Sequence, residues 1–400
     1  MRIVVVSAHY PPEFVSGGTL VPQRLARGLA GRGHDVWVYA GSLDRQRDPL
    51  ETWQDRDPTG LPVRWIASWP WIGWSDRHNY DNPQVTADFA TWLAAVRPEV
   101  VHLHSLQSLG SGLVEAAAGA GAAVVVTMHD FWWICARQFL ADRAYRPCCL
   151  VVAAGACQCE VDRAWLDQRT ARLERALARV DLVLVPSAIA AQVLEANGVA
   201  PGRIVVDENG LPPPAERAAA AVAAEPGDGE LRLLYAGGPD RMKGADVVVA
   251  AAVQLAERLG WRLIAYGLDP ATVPAGVSIE ARPPFAEGEL ATVLAGADVL
   301  VVPSVMRETF SILTREALRC GVAVVTTDTL GPEEIVVDGH NGLVVPAADP
   351  GALARAIGQL LDHPDRLAAL RAAAAESSVA IRPVEDQVRA NEAHYQQLLD

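Results

Sequence analysis

Short runs of branched apolar residues recur along this chain, each followed by a longer stretch whose apolar positions return every three or four residues. The runs are too short for helices and lack polar alternation, which is the pattern of strands buried on both faces; the longer stretches, such as 21–30, carry the helical period. In the first half the predicted strands are 3–7, 36–40, 63–67, 100–104, 124–128, 182–185 and 204–206. In the second half they are 231–236, 262–266, 299–302, 323–326 and 342–345. Strand and helix alternating end to end mean parallel sheets wrapped by helices, because parallel neighbours need a crossover between them. The pattern occurs twice. Between the halves, Leu211-Pro-Pro-Pro and Glu225-Pro-Gly-Asp-Gly229 bracket an alanine-rich stretch that reads as an interdomain connection with a short helix inside it. A first domain over 1–210 and a second over 211–381 follow.

Length and composition agree with that division. Four hundred residues exceed one hydrophobic core, and half the chain is hydrophobic without any long uncharged apolar run, so no membrane span is expected. Met1-Arg-Ile-Val-Val-Val-Ser7 goes directly into a strand and lacks a full signal-peptide pattern, which predicts a cytoplasmic protein. A formal net charge of −14 argues against nucleic acid as a partner, since its backbone demands a broad basic surface. Any phosphate site must be local.

The richest stretch is Arg307-Glu-Thr-Phe-Ser-Ile-Leu-Thr-Arg-Glu-Ala-Leu-Arg-Cys-Gly321. Residues 310–320 read as a helix capped by Gly321, directly after the buried strand 299–302. Glu308 and Glu316 therefore straddle a strand-to-helix turn. The first backbone N–H groups of such a helix favour an anion, and carboxylates accept hydrogen bonds from pairs of hydroxyls. Two surface carboxylates on an amphipathic helix are the plain alternative. The arrangement resembles the E-x7-E signature of the retaining, GT-B-fold nucleotide-sugar glycosyltransferases of the large bacterial family four.

That resemblance implies two Rossmann-like parallel-sheet domains facing each other across a cleft, with a last helix crossing back to the first domain. Pro383 onward fits that helix, so 382–400 joins the first domain. It also implies that Glu308 contacts hydroxyls of the donor sugar and Glu316 the ribose, with Phe310, Ser311 and Ile312 at the helix start beside the phosphates. In Leu233-Leu-Tyr-Ala-Gly-Gly-Pro-Asp-Arg-Met-Lys-Gly244, Lys243 matches the family's diphosphate cation. Gly238 stands where the family has arginine, and Arg241 is the candidate replacement. Gly17 and Gly18 match the family's Gly-Gly after the first strand, where missing β-carbons let a loop approach a ligand. Arg282, in Ile279-Glu-Ala-Arg-Pro-Pro-Phe285, falls where the family holds the nucleobase; Leu330–Leu343 matches a supporting segment.

His129 ends the run Val124-Val-Val-Thr-Met-His-Asp130 and corresponds to a donor-site histidine of the family; the alternative is a ring that satisfies nearby backbone. Asp130 would orient it or serve the acceptor. His102 and His104 are expected to shape the acceptor pocket, with Trp69, Trp71 and Trp74 as stacking platforms and Phe131-Trp-Trp133 nearby. Five of the six cysteines, Cys135, Cys148, Cys149, Cys157 and Cys159, form a cluster in an insertion over 135–159. In a reducing compartment such a cluster points to a structural zinc held by four thiolates, Cys135, Cys157, Cys159 and one of Cys148 or Cys149, or to an iron–sulfur site, with unligated thiols as the alternative. No catalytic metal is implied by the resemblance.

The expected activity is transfer of a sugar from a nucleoside diphosphate donor, UDP-GlcNAc or another UDP-sugar first and GDP-mannose second, to a hydroxyl of a small acceptor with retention. A nucleoside-diphosphate-sugar epimerase, or a silent sugar-nucleotide-binding protein, would use the same donor residues.

Overall fold

The computed structural model describes residues 1–152, 157, 159, 162–213 and 229–400. Most of the predicted connection, including the short helix expected in it, and residues 153–156 and 158 of the cysteine-rich stretch lie outside the described residues. The chain forms two units. One contains Met1–Phe139, Cys149–Gly210 and Arg382–Asp400, the other Leu140–Cys148 and Leu211–Ile381. The cysteine-rich stretch, expected as one insertion in the first domain, is thus divided, because Leu140–Cys148 folds onto the second unit as a small loop closed by an Ala141–Pro147 bridge.

The first unit is built on strands β1 (Arg2–Ser7), β2 (Asp35–Ser42), β3 (Thr52–Arg56), β4 (Pro62–Ala67), β5 (Val100–Ser105), β6 (Ala123–Thr127), β7 (Leu182–Val185) and β8 (Ile204–Val206). Their order is β3-β4-β2-β1-β5-β6-β7-β8, parallel except where β3 runs antiparallel to β4 at the edge. Ile3, Val5, Val38, Val100 and Val125 are wholly buried, as strands covered on both faces must be. The helix Val384–Leu399 packs on the helix Gly17–Gly31, and a β-carbon at Gly28 would lie 2.4 Å from Val388, so glycine sets how closely the two approach. Its Tyr395 is completely enclosed in the same core. Burying such a ring contributes on the order of 1.5–3 kcal/mol, which anchors the last helix to this sheet.

The second unit carries β9 (Leu231–Tyr235), β10 (Trp261–Tyr266), β11 (Ile279–Arg282), β12 (Val299–Val302), β13 (Ala323–Thr327) and β14 (Gly342–Val345), in the order β11-β10-β9-β12-β13-β14 and all parallel. Strand order reverses between β9 and β12, and the loops leaving such neighbours are where α/β sheets place ligands. Every predicted strand forms, with ends moved by no more than two residues; β3 and β11 are additional. Among the described residues, no helix is long and apolar enough to cross a membrane.

Candidate functional site

Two loops of the second unit meet because their backbones bond. After β12 the N–H groups of Val305 and Met306 both donate to the carbonyl of Met242, at 2.9 and 3.3 Å. The loop after β9 is wound tightly there. Asp240 accepts from the N–H of Met242 at 2.8 Å, and Gly244 adopts a left-handed φ of 81°. A β-carbon on Gly244 would stand 1.9 Å from the carbonyl oxygen of Pro303, so only glycine lets the loops close. Closure delivers Lys243 to Glu308, with Nζ donating to Oε1 at 3.0 Å.

Glu308 is only 7 % exposed. Its N–H donates to the carbonyl of Thr329 at 2.8 Å and its carbonyl accepts from Gly331 N–H at 2.9 Å, which pins the residue between two turns. Ser304 donates to Oε1 at 2.6 Å. Burial by itself would raise the carboxyl pKa, but the Lys243 charge and the hydrogen bonds from Ser304, Lys243 and Ser311 outweigh it and hold the pKa below the ordinary value. The group is an ionised acceptor in a nearly dry place. Ser304 escaped the sequence reading, although a polar residue directly after a buried strand was the available signal.

The helix Ile312–Arg319 begins after Ser311, at a left-handed φ of 61°. It ends as the sequence predicts, with Gly321 N–H bonding to Leu318 and Val322 N–H to Ala317, each at 3.0 Å, and Gly321 at φ 66°. Its buried face includes Arg315 and Glu316 beside Ala317 and Leu318. Charged residues are placed inside only when paired. Arg315 stacks on the Phe310 ring and donates to the Phe310 carbonyl, while Glu316 accepts from Arg319. Phe310 is thereby buried against Arg315, and Ile312 is half-buried at the helix start.

Other expected donor residues are placed less tightly. Gly238 has φ 65° and open space where a β-carbon would be; its carbonyl accepts from the Tyr235 hydroxyl at 3.0 Å. Arg241 is exposed, ion-paired with Asp246, and lies 4.2 Å over the Tyr145 ring. Arg282, at the end of β11, donates to Glu280 on its own strand at 2.7 Å and to the Tyr266 hydroxyl on the neighbouring β10 at 3.3 Å.

In the first unit Gly17 and Gly18 form the first turn of the helix Gly17–Gly31 rather than a loop. Ser16 and Thr19 cap it reciprocally: Thr19 N–H donates to Ser16 Oγ at 3.3 Å and Ser16 N–H to Thr19 Oγ1 at 2.9 Å. A β-carbon on Gly18 would meet only Ser16 Oγ, at 3.9 Å, so packing does not require glycine there. The turn is exposed backbone at a helix N-terminus.

Three histidines gather at the ends of β5 and β6. Nδ1 of His104 lies 2.8 Å from Nε2 of His129, and the His102 ring stacks on that of His104 with centroids 4.1 Å apart. Burial drives the pKa of His129 down to about 4 and that of His102 to about 3, and lowers that of His104 well below the ordinary value, so all three are neutral near pH 7. Asp130 accepts from Trp132 N–H at 2.8 Å and from Gln138 Nε2 at 2.6 Å. Its burial nevertheless raises its pKa to about 6, against those hydrogen bonds and the Arg169 charge. His9, after β1, is a further buried histidine that the sequence reading passed over, with burial lowering its pKa to about 4.

Several acceptor expectations need correction. His102 has no exposed surface and both ring nitrogens are engaged, by Tyr395 at 2.6 Å and Thr127 at 2.7 Å, so it is a core group rather than a pocket wall. Phe131, Trp132 and Trp133 are likewise buried. Trp69, Trp71 and Trp74 remain half-exposed; Trp69 donates to the Arg47 carbonyl at 3.1 Å, Trp71 leans on His78 and Trp74 lies under Arg137.

The four-thiolate metal site is not formed. Among the described residues, which include Cys135, Cys148, Cys149, Cys157 and Cys159, no three histidine, cysteine or acidic side chains gather in a metal-holding group. Cys135 and Cys159 are buried while Cys149 is exposed, and Cys148 folds with the other unit.

Comparison with known proteins adds an independent line. Residues 15–213 match Glycosyltransferase Family 4 and residues 230–363 match Glycosyl transferases group 1. D-inositol 3-phosphate glycosyltransferase 1 of Catenulispora acidiphila is 35% identical over 161 residues, 36% of this chain but only 38% of that protein's length. The D-inositol 3-phosphate glycosyltransferase of Kineococcus radiotolerans is 24% identical over 421 residues, 94% of this chain and 90% of that one. Sucrose-phosphate synthase from Thermosynechococcus elongatus superposes with a TM-score of 0.72 over 99% of this chain and 98% of that chain, at 21% identity, a likeness of fold.

Proposed function

Because the chain belongs to the group 1, family 4 glycosyltransferases, we propose that it transfers a hexose from a nucleoside diphosphate donor to a hydroxyl of a small acceptor with retained configuration. The observation that carries the reading is the Lys243–Glu308 pair, with Glu316 buried on the helix that follows. An ionised, nearly dry carboxylate binds sugar hydroxyls more strongly than a solvated one, because water competes less. Glu308 takes the donor sugar in this reading and Glu316 the ribose. Lys243, 38% exposed, takes the diphosphate.

In the reaction the acceptor oxygen bonds to the anomeric carbon as the bond from that carbon to the phosphate oxygen breaks. The electron pair leaves with the phosphate, which also takes the hydroxyl proton. Lys243 and the N-terminal amides of the helix Ile312–Arg319 stabilise the charge growing there. His129 and the exposed amides at Gly17 and Gly18 contact donor oxygens, and Arg241 supplements Lys243. Trp69, Trp71 and Trp74 are assigned to the acceptor. The names of the two inositol-phosphate relatives make a phosphorylated cyclitol the first acceptor to try. UDP-GlcNAc is the first donor and GDP-mannose the second.

A thermal-shift panel of UDP, GDP and ADP tests the donor site. Binding to the folded state at a hundredfold excess over Kd adds about 2.7 kcal/mol, a shift of several degrees. A protein stabilised by none of the three has no such site.

A further inference from the structure

His9 stands two residues past the end of β1, and no step of the reaction above uses it. Strand order in the first sheet reverses at β1, which pairs with β2 on one side and β5 on the other. The strand ends at such a reversal border the crevice in which α/β sheets take ligands. Pairing continues one step beyond the strand, where Ala8 N–H donates to the Ser105 carbonyl at 2.9 Å, and the Ser7 hydroxyl donates to the His9 carbonyl at 2.6 Å. These bonds fix the backbone from which the imidazole projects.

The loop that follows is tied at two points. Glu13 accepts from the Ser42 hydroxyl at 2.7 Å and from Leu43 N–H at 2.6 Å, at the end of β2, and the Phe14 carbonyl accepts from the Thr19 hydroxyl at 3.0 Å. The Phe14 ring packs on the imidazole with centroids 5.3 Å apart. His9 is only 9 % exposed, and its Nδ1 is enclosed with no hydrogen-bond partner among the described residues. Nε2 also makes no hydrogen bond there, but it is not enclosed. Burial lowers the pKa to about 4, so near pH 7 the ring is neutral and carries one hydrogen. On Nδ1 that hydrogen would be a buried, unmet N–H, a rarer and costlier arrangement than an unmet lone pair. The hydrogen therefore resides on Nε2, the ring nitrogen that a ligand can reach.

We propose that His9 is an acceptor-binding residue, which donates from Nε2–H to a hydroxyl oxygen of the acceptor at the end of the first sheet. The occupant rests on the glycosyltransferase reading above; the tautomer does not. A neutral donor suits a neutral hydroxyl, whereas a phosphate would draw a second proton onto the ring against its burial. Phe14, 43 % exposed, offers an apolar surface beside that hydrogen for the C–H face of a polyol ring.

Long-range proton–nitrogen correlation spectra of the ¹⁵N-labelled full chain, with the His9 signals identified by their loss in His9→Gln, read the tautomer. Hydrogen on Nε2 is expected, and hydrogen on Nδ1 overturns the proposal. Transfer kinetics with the donor and acceptor that the wild type uses read the role. His9→Leu should raise acceptor KM about tenfold, the equivalent of one neutral hydrogen bond, and leave the Kd for nucleoside diphosphate within about twofold. His9→Gln, whose amide nitrogen reaches the Nε2 position, should recover most of that loss, and His9→Asn, whose amide reaches only the Nδ1 position, should not. An unchanged acceptor KM in His9→Leu, or equal recovery by His9→Gln and His9→Asn, overturns the proposal. If His9→Leu does not fold, the contrast between His9→Gln and His9→Asn decides. The expected spectrum from a wild type that forms no glycoside would refute the transfer reading, and the acceptor role with it, while leaving the Nε2–H donor in place.

Discussion

The ammonium of Lys243 lies 3.0 Å from a carboxylate oxygen of Glu308, sixty-five residues away in sequence, and the contact exists because the Met242 carbonyl accepts from both Val305 and Met306. A cation and an anion thus meet in the loops that follow β9 and β12, the two central strands of the second sheet. Their separation decides which substitutions should fail together.

Lys243→Ala should weaken nucleoside diphosphate binding more than tenfold, since a charge-assisted contact to phosphate contributes roughly 1.5–3 kcal/mol. It should also raise the pKa of Glu308, whose burial is then opposed by hydrogen bonds alone. Arg241→Ala separates the supplementary cation from the main one. Titration calorimetry with the diphosphate measures both, and an unchanged Kd in Lys243→Ala contradicts the assignment.

The two glutamates should differ in kind. Glu316→Ala removes a ribose contact made equally in ground and transition states, so it should raise donor KM with a smaller change in kcat. Glu308→Ala removes a contact near the reacting carbon and should lower kcat. Steady-state kinetics on both variants would separate these roles, and equal effects on both parameters in both variants would argue against them.

Two glycines test the packing of the phosphate loop. Gly244→Ala combines a left-handed φ with a β-carbon 1.9 Å from the Pro303 carbonyl, whereas Gly238→Ala at φ 65° meets open space. The second should cost about 1–2 kcal/mol of strain and the first about 1–3 kcal/mol more from overpacking. Urea midpoints that rank them the other way would show that the loops do not close as described.

Acid should destabilise the first unit ahead of any catalytic effect. His102, His129 and His9, with folded pKa values of about 3, 4 and 4, stay neutral while an unfolded chain protonates near the ordinary value of 6.5. Between pH 6.5 and 4 the unfolded state binds more protons, so stability falls as pH falls through that window. Asp130, raised to about 6, acts in the opposite sense but is one group against several. A melting temperature that is constant from pH 6.5 to 4.5 would contradict this.

The sheets were legible because their central strands are unbroken apolar runs, such as Val299-Leu-Val-Val302. β3, Thr52-Trp-Gln-Asp-Arg56, is an edge strand whose last three residues are exposed, and β11 has two apolar residues in four; neither carries a buried-strand signal. Gly17 and Gly18 read as loop since glycine is a poor helix former. The cap that overrides this uses Thr19 in place of the usual glutamate or glutamine. Glu308 and Glu316 were visible through their spacing, but Ser304, and the loop contact that brings Lys243 to Glu308, depend on backbone pairing between segments sixty residues apart. The cysteine spacing did not translate into a metal-holding group among the described residues, since ligation needs a side-chain geometry that spacing alone does not set.

The most direct test is a transfer assay: the full chain with UDP-GlcNAc, other UDP-sugars and GDP-mannose in turn, and inositol phosphate with other polyols as acceptors, analysed by NMR for the new anomeric linkage. The account predicts that one donor yields a glycoside of the donor's own configuration with one nucleoside diphosphate released per bond, and that Glu308→Gln abolishes most of it. An inverted linkage, or a donor that binds yet gives no glycoside with any acceptor, would contradict it.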